Sequence, residues 1–146
     1  MPMIQLTALT GALTPQRPRQ RPARTRAGAA APGGRPRYRV FRAQVWSYLN
    51  ELPAGAQTTA EDEQPRFRVD VTVPAGALSD RRKAGLAGDA ISVVLRAAGL
   101  GEADALRAWV LIHEQADGTW GAGGQIFRYS DLVALAGKPA KEQAGA

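Results

Sequence analysis

Phe67-Arg68-Val69-Asp70-Val71-Thr72-Val73, followed by Gly76-Ala77-Leu78-Ser79, is the stretch on which the fold turns. Apolar and polar residues alternate through the first seven positions, the period of a strand with one buried face. Gly76 then supplies a turn, and Ser79 is a hydroxyl residue suited to the N-cap of a helix. Beyond it, Ala84, Ala87, Ile91, Val94, Leu95 and Ala98 fall at spacings of three and four, while Arg81, Arg82, Lys83, Asp89 and Arg96 are available to water. Gly99 ends this helix, as a glycine just past a helix commonly does. Leu106, Ala108, Val110 and Ile112 next alternate with Arg107, Trp109, Leu111 and His113, which predicts a second strand. Strand, helix and strand of these lengths make a right-handed βαβ crossover.

The same plan stands earlier in the chain. Ile4-Gln5-Leu6-Thr7-Ala8 alternates and runs into Gly11-Ala12-Leu13-Thr14, 65 positions before Gly76-Ala77-Leu78-Ser79. Trp46-Ser47-Tyr48-Leu49-Asn50-Glu51 leads to Gly55 as Trp109-Val110-Leu111-Ile112-His113-Glu114 leads to Gly118, at an offset of 63. Two anchors at nearly one offset mark an internal repeat. The predicted fold is therefore α+β, with tandem β-α-β units related by a pseudo-twofold axis, forming a four-stranded sheet with helices on one face. Residues 1–60 are the expected first unit, residues 61–136 the second, and residues 137–146 a flexible tail.

One segment departs from the plan. A helix is expected between Thr14 and about Ala43, yet Pro15, Pro18, Pro22, Pro32 and Pro36 each remove a backbone donor, and no apolar stripe is visible. The net charge of +6 also resides here: nine arginines between Arg17 and Arg42 have no acid among them, and the rest of the chain is net −3. Residues 16–40 thus read as irregular and rich in arginine and proline, with three explanations open. The first is an out-of-frame translation of a GC-rich gene, which preserves length and erases periodicity. The second is a disordered basic loop pairing with nucleic acid or an acidic partner. The third is an arginine-rich targeting leader.

Several function classes are excluded or disfavoured by composition. The chain has no cysteine and a single histidine, His113, so disulfides, zinc-finger spacings and multi-histidine metal sites are ruled out. No metal or cofactor is expected. At 146 residues there is room for one shared core but not for two independent domains. No apolar run matches a membrane span and no secretory signal opens the chain, so a cytoplasmic protein is expected.

With the repeat in place, the chain resembles the tautomerase superfamily of the 4-oxalocrotonate tautomerase type, in its fused two-unit form. Pro2 follows Met1 and stands nine residues before Gly11, where the family has its amino-terminal proline and turn glycine. The strand leading through Ala75-Gly76-Ala77-Leu78-Ser79-Asp80 into a helix is similar to the family's first half. Ile112-His113-Glu114 followed by Gly118-Thr119-Trp120-Gly121-Ala122-Gly123-Gly124 is similar to its closing strand and glycine-rich loop. The resemblance implies Pro2 as catalytic base, Trp120 as an active-site aromatic and a homotrimer, since fused members look like a hexamer of short chains linked in pairs.

The chemistry behind a terminal proline is simple. Freed of Met1, Pro2 presents a secondary amine, and an α-amino group titrates near 8. An apolar pocket disfavours its protonated form and makes it a base at neutral pH, able to move a proton in a small carbonyl or enol acid. Phe67, the residue corresponding to Pro2 in the second unit, is internal, so one active site per chain is expected.

Departures from the family pattern matter as much. Ala12 and Ala77 stand where it usually has a carboxylate-holding arginine, and Trp109 stands at another arginine position. Arg107, two residues earlier, is the candidate substitute for binding a carboxylic or carbonyl substrate, with a solvated strand arginine as the equal alternative. The paired arginines of the family's dehalogenases are also missing, so dehalogenation is not expected. His113, Asn50, Glu51 and Glu114 read as strand-end or structural residues, and Trp46 and Trp109 as core or interface aromatics. The rival to a tautomerase is a catalytically inactive protein of the same fold that binds a partner, nucleic acid through the arginine segment being the weaker version.

Overall fold

In a strand, successive side chains point to opposite faces, so Phe67, Val69, Val71 and Val73 share one side of the sheet, and all four are buried. A computed structural model describes residues 3–14 and 45–137. These form β1 (Met3–Leu9), β2 (Trp46–Leu52), β3 (Phe67–Pro74), helix α1 (Asp80–Ala98), a short 3-10 helix (Glu102–Arg107), β4 (Ala108–Gln115), β5 (Trp120–Ala122), β6 (Gln125–Phe127) and helix α2 (Tyr129–Gly137). Pro2, the irregular segment 16–40, the helix position between Thr14 and Ala43, and residues 138–146 of the expected tail lie outside the described residues.

The described strands make a four-stranded mixed sheet in the order β2-β1-β3-β4, with a separate β5-β6 hairpin, so the architecture is α+β. β1 and β2 are parallel, β3 and β4 are parallel, and the two pairs meet antiparallel at β1 and β3. Both sequence offsets reappear as register. Met3 faces Trp46 in one pair, and Arg68, 65 residues later, faces Trp109, 63 residues later, in the other. The turns repeat too: Ala12 N–H donates to Leu9 O at 3.0 Å and Ala77 N–H to Pro74 O at 3.1 Å. Gly11 and Gly76 hold φ of 80° and 77°, the left-handed region in which a glycine carries no Cβ penalty.

The core lies between β3 and its neighbours on one side and α1 on the other. Ala8, Ala108 and Val94 complete the buried set with the β3 residues, and Leu86, Ala90, Ile91 and Ala98 pack against it. The helix stripe therefore runs through Leu86, Ala90, Val94 and Ala98. Ala84, expected on that stripe, is exposed, because a row at spacing four that ends on Ala98 passes through Leu86 instead. Ser79 has the extended backbone of an N-cap but forms no side-chain cap bond, and its carbonyl accepts from Lys83 N–H at 2.9 Å. Gly99 closes the helix at φ 68°, with Leu100 N–H donating to Leu95 O at 2.8 Å.

Three further expectations are corrected. Leu106 is not on the apolar face of β4; it is 86% exposed in the 3-10 helix that precedes the strand. Arg107 closes the same short helix, where its Nη1 donates to Asp104 Oδ1 at 3.1 Å, so it is not a strand residue. Trp46 and Trp109 are not core residues, being 55% and 67% exposed, because their register places them on the sheet face away from α1. No helix among the described residues is long and apolar enough to cross a membrane.

Candidate active site

A cavity of about 430 Å³ opens where the first residue of β1 meets the last of β4. The sheet contributes Met3, its parallel partner Trp46 and its antiparallel partner Thr72. Gln115 at the end of β4, Thr119 in the following turn, and the β5 strand Trp120–Ala122 close the other side. The hairpin holds Trp120 opposite Phe127, and its reversal at Gly123 and Gly124 has φ of 58° and 77°. Positive φ at both central positions is the type I′ turn of a two-residue hairpin, which accounts for the glycine-rich run without any phosphate.

The lining is an apolar vessel with a few polar groups. Met3, Trp46, Trp120 and Ala122 form its walls, and no cationic side chain is among the described lining residues. The Thr119 hydroxyl is already used, donating to Ala116 O at 2.7 Å. The side chains of Thr72 and Gln115 form no hydrogen bond with a described residue, which leaves them free for a bound molecule. Trp120, expected in a pocket, lines this one, and Trp46, expected as a core or interface aromatic, lines it too because the β1–β2 register sets it opposite Met3.

Arg107 is placed elsewhere. It lines a second cavity of about 290 Å³ at the opposite end of β4, with Trp109, Leu106, Phe67, Arg66, Arg68 and the stretch Gln57–Thr59. Six strand positions separate Trp109 from Gln115, or about 20 Å, so Arg107 and Trp120 do not share a cavity within one chain. Pro2 lies outside the described residues, and its neighbour Met3 is on the first cavity.

Titratable groups near the first cavity are held in fixed partnerships. His113 Nε2 lies 2.7 Å from Asp70 Oδ1, and Arg68 Nη2 donates to the same oxygen at 2.8 Å. Burial acts to raise the Asp70 carboxyl, but the bonds from His113 and Arg68 more than offset it and hold its pKa below the ordinary carboxylate value. Glu114 accepts from Lys83 Nζ at 2.7 Å and from the Gly76 N–H at 3.3 Å, which lowers its pKa, while the same bond raises that of Lys83. Glu114 thus ties the β4 end to the turn before α1, a structural role. Asp117 accepts from Tyr129 N–H at 2.7 Å and from Arg128 at 3.3 Å, fixing the hairpin to the start of α2. Among the described residues no group of three His, Cys, Asp or Glu is arranged to hold a metal ion.

Solved structures resembling this fold come from the tautomerase superfamily. A protein designated N1, a member of the cis-3-chloroacrylic acid dehalogenase family, has a TM-score of 0.60 at 18% identity, over 97% of this chain and 96% of its own. Pt0534, in a structure inactivated by 2-oxo-3-pentynoate, has a TM-score of 0.61 at 16% identity, over 89% of this chain and 98% of its own. A fused 4-OT described as a symmetric trimer has a TM-score of 0.58 at 17% identity, over 93% and 99%. No protein-family model matches the sequence, and no curated protein matches it. The chain has the tautomerase-superfamily fold.

Proposed function

We propose that the protein is a tautomerase that moves a proton within a small carbonyl or enol acid, with the Pro2 amine as its base. The observation that carries this is Met3 on the wall of the 430 Å³ cavity, since Pro2 is joined to it by one peptide bond and adjacent Cα atoms lie about 3.8 Å apart. The repeat adds support: Phe67, the counterpart of Pro2 at the offset of 65, lines the second cavity beside Arg68, the counterpart of Met3. If that amine enters the cavity, the apolar walls of Met3, Trp46 and Trp120 favour its neutral form at neutral pH.

The proton bookkeeping needs no other reagent. The neutral amine takes the enol hydroxyl proton, the electron pair of that O–H bond forms the carbonyl, and the carbon end of the enol receives a proton from the ammonium. Thr72 and Gln115 are available to orient the oxygen, and Trp120 covers the substrate. A carboxylate would need an anchor beyond these described lining residues. A homotrimer is part of the proposal; the 4-OT neighbours described as trimers support it.

The test is ketonisation of enol phenylpyruvate by the purified chain, paired with intact mass to verify loss of Met1. Pro2→Ala should remove most of the rate, and 2-oxo-3-pentynoate, an electrophile that a neutral secondary amine can attack, should add its mass to the parent but not to the variant. A parent lacking Met1 that neither ketonises the enol nor takes the label would refute the tautomerase.

A further inference from the structure

The second cavity is the repeat's counterpart of the first. Applying the two offsets, Met3 maps to Arg68, Trp46 to Trp109, and Trp120, Gly121 and Ala122 to Gln57, Thr58 and Thr59, and all five counterparts line the second cavity. Shape has been kept while chemistry has changed. Where the first cavity has no cation among its described lining residues, the second has Arg66, Arg68 and Arg107 and no carboxylate.

These guanidinium groups are held in place without being exhausted. Arg66 is held by Nη2 to both oxygens of Asp62 at 3.0 Å and by Nη1 to Gln64 O at 2.9 Å. Arg107 is fixed by Nε to Pro65 O at 3.1 Å and Nη1 to Asp104 at 3.1 Å, which leaves Nη2 without a described partner. Arg68 gives only Nη2, to Asp70 at 2.8 Å, so its Nε and Nη1 are free among the described residues. An arginine carries five donors, and one oriented by other bonds loses less freedom on meeting an anion. Phe67, Leu106 and the Trp109 ring supply an apolar wall beside those donors, and the Trp109 ring is itself anchored by its N–H to Leu106 O at 3.0 Å.

We infer that this second cavity is a non-catalytic binding site for a small aromatic carboxylate, its carboxylate on Arg68 and Arg107 and its ring against Trp109. Phe67 stands where a basic amine would be needed, so the site binds without turning its ligand over. A volume of about 290 Å³ suits a single ring rather than a larger ligand. The site depends on neither Pro2 nor catalysis in the first cavity.

The three tryptophans make the test direct, because Trp46 and Trp120 line the first cavity and Trp109 the second. With fluorotryptophan incorporated and the resonances assigned by Trp109→Phe and Trp120→Phe, benzoate, benzamide and inorganic phosphate are titrated separately by fluorine NMR. Benzoate should move the Trp109 resonance in a saturable manner, with benzamide and phosphate at least tenfold weaker. Arg68→Gln should weaken benzoate about tenfold, the loss of one charge-assisted bond, and Pro2→Ala should leave the titration unchanged. Equal response to benzamide or to phosphate, or an Arg68→Gln protein that binds as the parent does, would overturn the site. Thr58→Trp, which fills the cavity from an exposed position, guards against misreading an Arg68 folding defect, as it should abolish the response with all four arms of the sheet intact by circular dichroism.

Discussion

Gln5 faces Asp70 across the antiparallel junction of β1 and β3, and this is the pair that the offset of 65 maps onto itself. The flanking pairs exchange about it: Met3 with Thr72 becomes Thr7 with Arg68, and Ile4 with Val71 becomes Leu6 with Val69. The sheet's pseudo-twofold axis therefore passes between Gln5 and Asp70. The two cavities lie at opposite ends of the sheet as a consequence, one where β1 and β2 begin and the other where β3 and β4 begin. The repeat therefore places two cavities with different residues at matching positions.

The core residue with least tolerance is Val71, 1% exposed at the middle of β3 against α1. Val71→Ala leaves a cavity that a sheet cannot easily close, so a loss of about 2–3 kcal/mol is expected in denaturant unfolding. An unfolding midpoint equal to that of the parent would mean that α1 does not pack on this face.

Two glycines should respond with opposite sign to the same substitution. Gly76 sits at φ 77°, so Gly76→Ala should cost about 1–2 kcal/mol even though no atom lies near the added methyl. Gly85 is inside α1 with open space around it, so Gly85→Ala should stabilise by about 0.8 kcal/mol. Thermal melts of the two proteins side by side check both signs.

Much of this arrangement was legible in the sequence because alternation and glycine placement are local signals. The offsets of 65 and 63, which mark the repeat, reappear as the register of the two parallel pairs, and a one-position slip would turn Val69 and Val71 outward. β5 and β6 were missed because three residues are too few to show a period, and α2 because Tyr129–Gly137 was merged with the end of the second unit. Arg107 was placed on the wrong element because the alternation through Leu106 continues past the true start of β4 at Ala108. The second cavity draws on three separate segments, and only the offsets, carried from Met3 and Trp120 to Arg68 and Gln57, could have assembled it beforehand.

Trp120 should matter to binding more than to proton transfer. It walls the first cavity on a hairpin that α2 and Asp117 hold in place, so Trp120→Ala should leave the fold unchanged. Loss of an aromatic cover is expected to reduce kcat/KM for phenylpyruvate about tenfold, chiefly through KM. A loss confined to kcat would instead assign Trp120 to the transition state.

The Lys83–Glu114 pair predicts a stability difference that vanishes at both ends of the pH scale. Glu114 has its pKa lowered by Lys83 and the Gly76 N–H, so its contribution is complete above the unfolded carboxylate value near 4.3 and is lost as pH falls through the folded one. Lys83 has its pKa raised by Glu114, so its contribution is complete below about 10.4 and is lost as pH rises through the folded value. Glu114→Gln removes both at once. The variant should therefore unfold at lower denaturant than the parent at pH 7, and the gap should narrow toward about pH 3 and again toward about pH 12. A gap constant across that range would mean that Glu114 acts through its size and hydrogen bond to Gly76 rather than through charge.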